Sequence, residues 1–191
     1  MTPKFNIGID LGGTKIETIV LKDQLALFRE RIPTEAEKGP HHILNQISKI
    51  YSQALGVVES DDFKVGICTP GSIAPDTKLL RNSNTTCLNG TALQAMIEEK
   101  LNRSVQIEND ANCFALAEAT LGAGKGHELV FGIIMGTGCG GGFVFNHQIR
   151  LGPNLISGEW GHSVLYPDGN ECYCGKRGCV ETYISGGGIE T

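Results

Sequence analysis

Apolar and polar positions alternate from the first residues of the chain. Phe5 to Ile9 is a short apolar run, "GGT" is a turn, and Lys15 to Leu21 alternates apolar with polar or charged side chains. That period predicts strand, turn, strand. Leu25 to Ile32 can supply a third strand. From His41 to Leu55 the period changes, with Ile43, Leu44, Ile47, Ile50, Tyr51 and Leu55 at helical intervals. Three antiparallel strands followed by a helix are expected. Lys64 to Thr69 reads as a strand, and Thr91 with Gln94 carries a capping-box pattern opening a helix through Leu101. Ser104 to Glu108 is a strand again, and Asp110 begins a helix to about Leu121. After the loop "GAGKGHE", Leu129 to Met135 is a strand, "GTGCGGG" a turn and Phe143 to Phe145 a strand. The opening hairpin is echoed, which predicts two related lobes.

The echo can be stated in residues. "IGIDLGGTKIE" and "GIIMGTGCGGGFV" both place glycines and a threonine between two apolar strands. Glycine at such a turn lets backbone N–H groups converge on an anion, and the threonine hydroxyl adds a donor. Two such turns could grip one polyphosphate from opposite sides, whereas a single one is as readily a plain tight hairpin. Neither has the GxxxxGK[ST] spacing of a Walker loop, and neither is followed at once by the helix of a dinucleotide-binding fingerprint.

Composition narrows the partners. The 191 residues are 40% hydrophobic and 19% charged, with 26 glycines, which is globular. A net charge of −5 offers no basic footprint for nucleic acid or an anionic membrane, so a small-molecule or protein partner is expected. The first apolar run is too short for a signal peptide or a membrane span, which predicts a cytoplasmic protein. Of the seven cysteines, Cys68, Cys87, Cys113 and Cys139 lie singly, and an odd total argues against a disulfide framework. The other three, in "CYCGKRGC", follow closely on "GEWGH".

"IGIDLGGTK", "TPG", "ENDANCFALAEA", "GTGCGGG", "GEWGH" and "CYCGKRGCVE" occur in the same order as in the bacterial ROK family of sugar kinases and related repressors, and the resemblance runs from Ile7 to Glu181. It implies an α/β actin-like ATPase (ribonuclease H-like) fold of two lobes, residues 1–120 and an incomplete second lobe at residues 121–191, with the active site in the cleft. It also implies ATP-dependent phosphorylation of a hexose. The phosphate-binding residues would be Gly8, Asp10, Gly12, Gly13, Thr14 and Lys15 in one turn region, and Gly136, Thr137, Gly138, Gly140, Gly141 and Gly142 in the other. Asp10 would lie near Mg²⁺ and the γ-phosphate.

Phosphoryl transfer to a sugar hydroxyl needs a carboxylate to orient that hydroxyl and accept its proton, and positioning and electrostatics carry most of the reaction. Asp110, in "IENDANCF", is the expected base; on position alone it is also an ordinary helix N-cap. Asn109 would bind a neighbouring sugar hydroxyl, and the resemblance adds Gly71 of "TPG" as a backbone contact. His162, Cys172, Cys174 and Cys179 supply a Cys₃His set of the kind that binds structural Zn²⁺, leaving no open position for a catalytic water. The C-x-C-x₄-C spacing is tighter than common finger spacings, with unliganded thiols the alternative. Zinc there would aim Glu159 and Glu181 at the sugar, and the second ring nitrogen of His162 would meet a sugar oxygen.

"RNSNTTCLNG" and Trp160 look most like the manno(fructo)kinase branch, so fructose or mannose, phosphorylated at position 6, is the first expectation. N-acetylglucosamine kinases and glucokinases of the same family are the alternatives. Asn84 and Asn89 would line that pocket, or serve simply as turn asparagines. A sugar-sensing regulator is a reading of a different class. The family's repressors carry a DNA-binding segment ahead of the first phosphate turn, and only six residues precede Ile7 here. The chain ends at "ISGGGIET", whereas members continue, so a C-terminally shortened chain without its adenosine pocket and without kinase activity of its own is expected. The full-length protein is expected to be a homodimer.

Overall fold

The computed structural model describes residues 4–136, 138–153, 155 and 157–190. The alternation at the start of the chain becomes β1 (Phe5–Leu11) and β2 (Lys15–Lys22), paired antiparallel from Phe5↔Lys22 to Leu11↔Ile16. β3 (Leu25–Pro33) follows antiparallel on β2. One face of β1 carries Phe5, Ile7, Ile9 and Leu11, all buried, and the matching face of β2 carries Ile16, Thr18 and Val20. Against them lies α1 (Pro40–Leu55), whose stripe of Ile43, Leu44, Ile47, Ile50, Tyr51 and Ala54 is buried in the same cluster.

Two parallel strands extend the sheet. β4 (Phe63–Thr69) pairs with β1, and β7 (Gln106–Asn109) pairs with β4, giving the order β3-β2-β1-β4-β7. Between them run the two-residue strands β5 (Ser72–Ile73) and β6 (Leu80–Arg81) and the helix α2 (Leu93–Leu101). The expected capping box is not formed. Ala92 is the cap and makes no side-chain cap bond; the Thr91 hydroxyl donates to Leu88 O at 2.7 Å, and Gln94 Nε2 donates to Val105 O at 3.0 Å. Both polar groups are drawn to carbonyls of the neighbouring loops.

α3 (Asp110–Thr120) starts directly at the end of β7, and β8 (Leu129–Met135), β9 (Cys139–Phe145) and β10 (Gln148–Ile149) form a second, antiparallel sheet. The short helices α4 (Glu181–Ile184) and α5 (Gly186–Ile189) close the described chain. Two compact units result, Met1–Asp110 and Ala111–Thr191. This division falls at the start of α3, whereas the sequence placed it after residue 120. The reason is packing: Ala115 and Ala119 of α3 are buried with Val144 of β9, beside Val130 and Ile149. Among the described residues no helix is long and apolar enough to cross a membrane.

Candidate functional site

In the first unit the parallel strands β1, β4 and β7 end on the same edge. Asp10 stands opposite Cys68, and Thr69 opposite Asn109. Neighbouring strands run about 4.8 Å apart, so Asp10, the bend after Thr69 and Asn109 occupy consecutive strand ends. The carboxyl ends of parallel strands are where open α/β sheets bind ligands. Asp10 is exposed, and Asp110, the next residue after β7, is half-buried. Asn109 Nδ2 donates to Gly71 O at 3.1 Å, tying β7 to the bend. Gly71 has φ +84°, and a Cβ there would lie 2.4 Å from Arg81 O and 2.8 Å from Ser83 N. Only glycine lets the bend and the 81–83 segment approach this closely.

The first glycine turn is held from outside. Gly12 N–H donates to Lys15 O at 3.0 Å, and Thr14 and Lys15 are exposed. Thr34, fully buried just after β3, grips the turn twice: its hydroxyl donates to Gly12 O at 2.7 Å and its N–H to Thr14 O at 3.0 Å. No pattern in the sequence marks this role, since a threonine after a strand carries no periodic signal. A Cβ on Gly13 would lie 3.4 Å from Thr85 Oγ1 and 3.6 Å from Asn84 Oδ1, so Asn84 stands beside the turn. Asn89 has another task. Its Oδ1 accepts from Ser83 N and its Nδ2 donates to Ser83 O, each at 2.9 Å, bracing the loop that presents Asn84. Gly8 lies within β1 opposite Ile19, not in the turn, and its carbonyl accepts the Thr18 hydroxyl at 2.9 Å.

In the second unit the turn is shorter than expected. Met135 pairs with Cys139, and Gly136 N–H donates to Gly138 O at 2.9 Å. Thr137 lies outside the described residues. Gly140, Gly141 and Gly142 belong to β9, opposite Ile134, Ile133 and Gly132, so "GTGCGGG" is turn only at its start and strand beyond it. Gly141 and Gly142 sit where the strand is crowded. A Cβ on Gly141 would lie 2.8 Å from Gly132 O and 2.9 Å from Gly158 O, and one on Gly142 2.9 Å from Ala111 O. Trp160 belongs to the same packing, its indole donating to Gly140 O at 2.8 Å.

Glu159 is exposed, whereas Glu181 is buried, and its Oε2 accepts the Cys139 N–H at 2.8 Å. Burial, with the Glu181 charge adding to it, pushes the Cys139 thiol up.

His162, Cys172, Cys174 and Cys179 place their ligand atoms within 4.8 Å of one another. Turn bonds gather them: Cys172 N–H to Lys176 O and Gly175 N–H to Cys172 O, each at 2.9 Å. Tetrahedral zinc with Zn–S of about 2.3 Å and Zn–N of about 2.0–2.1 Å requires S···S edges of about 3.8 Å and N···S edges of about 3.6 Å. Cys174 Sγ to Cys179 Sγ is 3.7 Å, and His162 Nδ1 to Cys172 Sγ is 3.5 Å. The donor set therefore fits a structural zinc ion. The Lys176 backbone N–H holds the Cys174 thiol below the ordinary cysteine value, while burial pushes Cys179 up to about 11. Neighbouring thiols resist ionising together, and a bound cation removes that penalty. The other ring nitrogen, Nε2, lies 3.2 Å from the Tyr173 hydroxyl.

The mixed sheet with its ligand edge and the glycine hairpin that follows define an α/β protein of the actin-like ATPase fold. The profile of the ROK family matches residues 6–191, and the chain belongs to that family. It is 40% identical over 197 residues to an N-acetyl-D-glucosamine kinase of Aliivibrio salmonicida, covering 96% of this chain and 64% of the relative. A ROK hexokinase from Thermus thermophilus superposes with a TM-score of 0.80 at 31% identity, covering 97% of this chain and 62% of that one. A ROK family glucokinase from Streptomyces griseus, solved with glucose and AMPPNP, gives 0.78 at 30% identity, covering 97% and 58%. The chain thus spans less than two thirds of the length of these relatives.

Proposed function

We propose that this protein transfers the γ-phosphate of ATP to a hydroxyl of a hexose, with N-acetylglucosamine as the acceptor. The observation that carries the reading is the strand-end edge of the first unit, where β1 ends in Asp10 and the Gly12–Lys15 turn and β7, two strands along, ends in Asn109 and Asp110. The glucokinase with glucose and AMPPNP and the N-acetyl-D-glucosamine kinase named above support the reaction class and favour the N-acetylated sugar over fructose.

The roles follow from chemistry. Asp110 orients the acceptor hydroxyl and accepts its proton, and Asn109, steadied by Gly71, holds a neighbouring hydroxyl. The exposed Thr14 hydroxyl and Lys15 ammonium face the phosphates, and Asp10 is the carboxylate for Mg²⁺. Bound Mg²⁺ supplies neutralisation of phosphate charge. In the second unit the Gly136–Gly138 turn contributes to phosphate binding, and Glu159, His162 and Glu181 to the sugar. Zn²⁺ on His162, Cys172, Cys174 and Cys179 supplies rigidity alone, since four protein donors close its coordination.

A coupled ADP-release assay of the gene product with MgATP and N-acetylglucosamine, fructose, mannose or glucose tests this. N-acetylglucosamine is expected to give the highest kcat/KM, and no turnover with any of the four sinks the kinase reading. Asp110→Asn is expected to keep sugar binding and lower kcat by about 10²–10⁴-fold. A variant retaining more than a tenth of the parent kcat would place the base elsewhere.

A further inference from the structure

We propose that Cys68 is a positioning residue of the phosphate site, its thiol holding the Asp10 carboxylate in the orientation that meets Mg²⁺. The inference rests on the reading of Asp10 as the Mg²⁺ carboxylate and adds a residue to it. In the sequence Cys68 is one of the cysteines that lie singly. In the fold it stands beside Asp10.

The outer face of the first sheet decides what can touch Asp10. Phe5, Ile7, Ile9 and Leu11 turn into the core, so Gly8 and Asp10 of β1 face the other way. Residues opposite one another on paired strands share a face, which sets Glu17 of β2 on one side of Asp10 and Cys68 of β4 on the other. Gly8 and Gly12, two places before and after it, carry no side chain to brace the carboxylate. Glu17 is itself a carboxylate, with its two oxygens taken by Arg29 and Arg31, and it has no hydrogen to give. Cys68 has one. Its Sγ lies 3.4 Å from Asp10 Oδ1, nearer than the 3.7 Å to Ile9 O, and the thiol donates to the carboxylate.

The consequence is preorganisation. An exposed aspartate rotates about its side-chain bonds, and binding a cation costs it that freedom. A bond to Oδ1 limits the rotation beforehand and leaves Oδ2 for the metal. It also fixes the carboxylate against β4, the strand that leads into the Gly71 bend, rather than against the glycine turn. Cys87 is the matched control: its Sγ donates at the same 3.4 Å, but to a backbone carbonyl, Ala36 O.

The test has one readout that needs no metal and one that does. The S–H stretching band falls where other protein groups leave the infrared spectrum clear, and a stronger hydrogen bond lowers its frequency. The Cys68 band, isolated as the difference from Cys68→Ser, should move to higher frequency in Asp10→Ala. The second probe is Mn²⁺, titrated into the gene product with saturating ADP and followed by electron paramagnetic resonance. Cys68→Ala is expected to lower Mn²⁺ affinity about 10-fold, the lower end of the range for an outer partner of a ligating carboxylate, since a thiol is a weak donor. Cys68→Ser should return it to within about threefold of the parent, and Cys87→Ala should leave it unchanged. KM for the sugar should not move in any of the three. A Cys68 band indifferent to Asp10→Ala overturns the inference, as does a Cys68→Ala affinity within twofold of the parent or a serine variant no better than alanine. Each of these leaves the reading of Asp10 intact. An Asp10→Ala variant that binds Mn²⁺ with ADP as the parent does sinks that reading and the role of Cys68 with it.

Discussion

Thr34→Val asks how much of the first glycine turn depends on a residue outside it. The parent hydroxyl donates to Gly12 O at 2.7 Å from a fully buried side chain, and the Thr34 N–H donates to Thr14 O at 3.0 Å. Valine keeps the branch at Cβ and the backbone bond, removes the hydroxyl and sets a methyl against the Gly12 carbonyl. Such a loss costs about 1–2 kcal/mol, between a net hydrogen bond and a stranded buried acceptor. That is a factor of about 5–30 in the folding equilibrium and, for a chain of this length, about 2–8 °C in Tm. Urea unfolding should show a lower midpoint at unchanged slope. Because the turn carries the proposed phosphate donors, KM for MgATP should rise about 3–10-fold with KM for the sugar unmoved. Thr34→Ser, which keeps the hydroxyl, should recover most of the nucleotide affinity. A valine variant with both the midpoint and KM for MgATP of the parent would refute the reasoning and leave Thr34 as ordinary core.

The crowding of β9 predicts that Gly142→Ala destabilises by about 1–3 kcal/mol, because the new Cβ meets Ala111 O and Asn112 Cα, each at 2.9 Å. Gly66→Ala, with no atom within 4 Å of its Cβ position, should be close to neutral, and equal thermal shifts in the two would contradict the packing account. On the exposed side of the first sheet, Glu17 is paired with Arg29 and Arg31. Burial works to raise its carboxyl, but the hydrogen bonds and charges of the two arginines outweigh it and hold the pKa below 4.5. A lowered native value stabilises above the unfolded pKa and is lost as pH falls through the native one. Glu17→Gln should therefore cost about 0.2–1 kcal/mol at neutral pH, less in high salt, and nothing once acid has protonated the native carboxyl. A cost that persists in acid would show that the ion pair is not its source.

The elements legible in the sequence are those whose burial repeats with a simple period. The faces of β1 and β2 and the stripe of α1 are of this kind, because each side chain reports which side of its element meets the core. Asp110 at the junction of β7 and α3 was legible for a different reason, since a strand followed at once by a polar helix start is a local pattern. The first half of β9 was not legible: a run of glycines has no side chains to alternate, and its state is set by the register Ile133↔Gly141 with β8. The pairing of Asn89 with Ser83, the diversion of Thr91 and Gln94 to loop carbonyls and the double grip of Thr34 each depend on partners brought close by tertiary structure. The clustering of His162, Cys172, Cys174 and Cys179 was legible by residue type, whereas the bond from the Cys139 N–H to the buried Glu181 Oε2 is a product of the fold.

The order of pairing in the first sheet also sets a timetable. β1, β2 and β3 join through tight turns, so the Gly12–Lys15 hairpin closes from residues near in sequence. The parallel contacts are remote: Phe5 meets Phe63 across the whole of α1, and Gly66 meets Gln106 across α2. Loop closure makes such pairings the slow events of folding. A refolding chain would form its glycine hairpin early and gain Asn109 and Asp110 only when β7 docks, so recovery of ligand binding should lag behind recovery of β-structure and follow the slower phase.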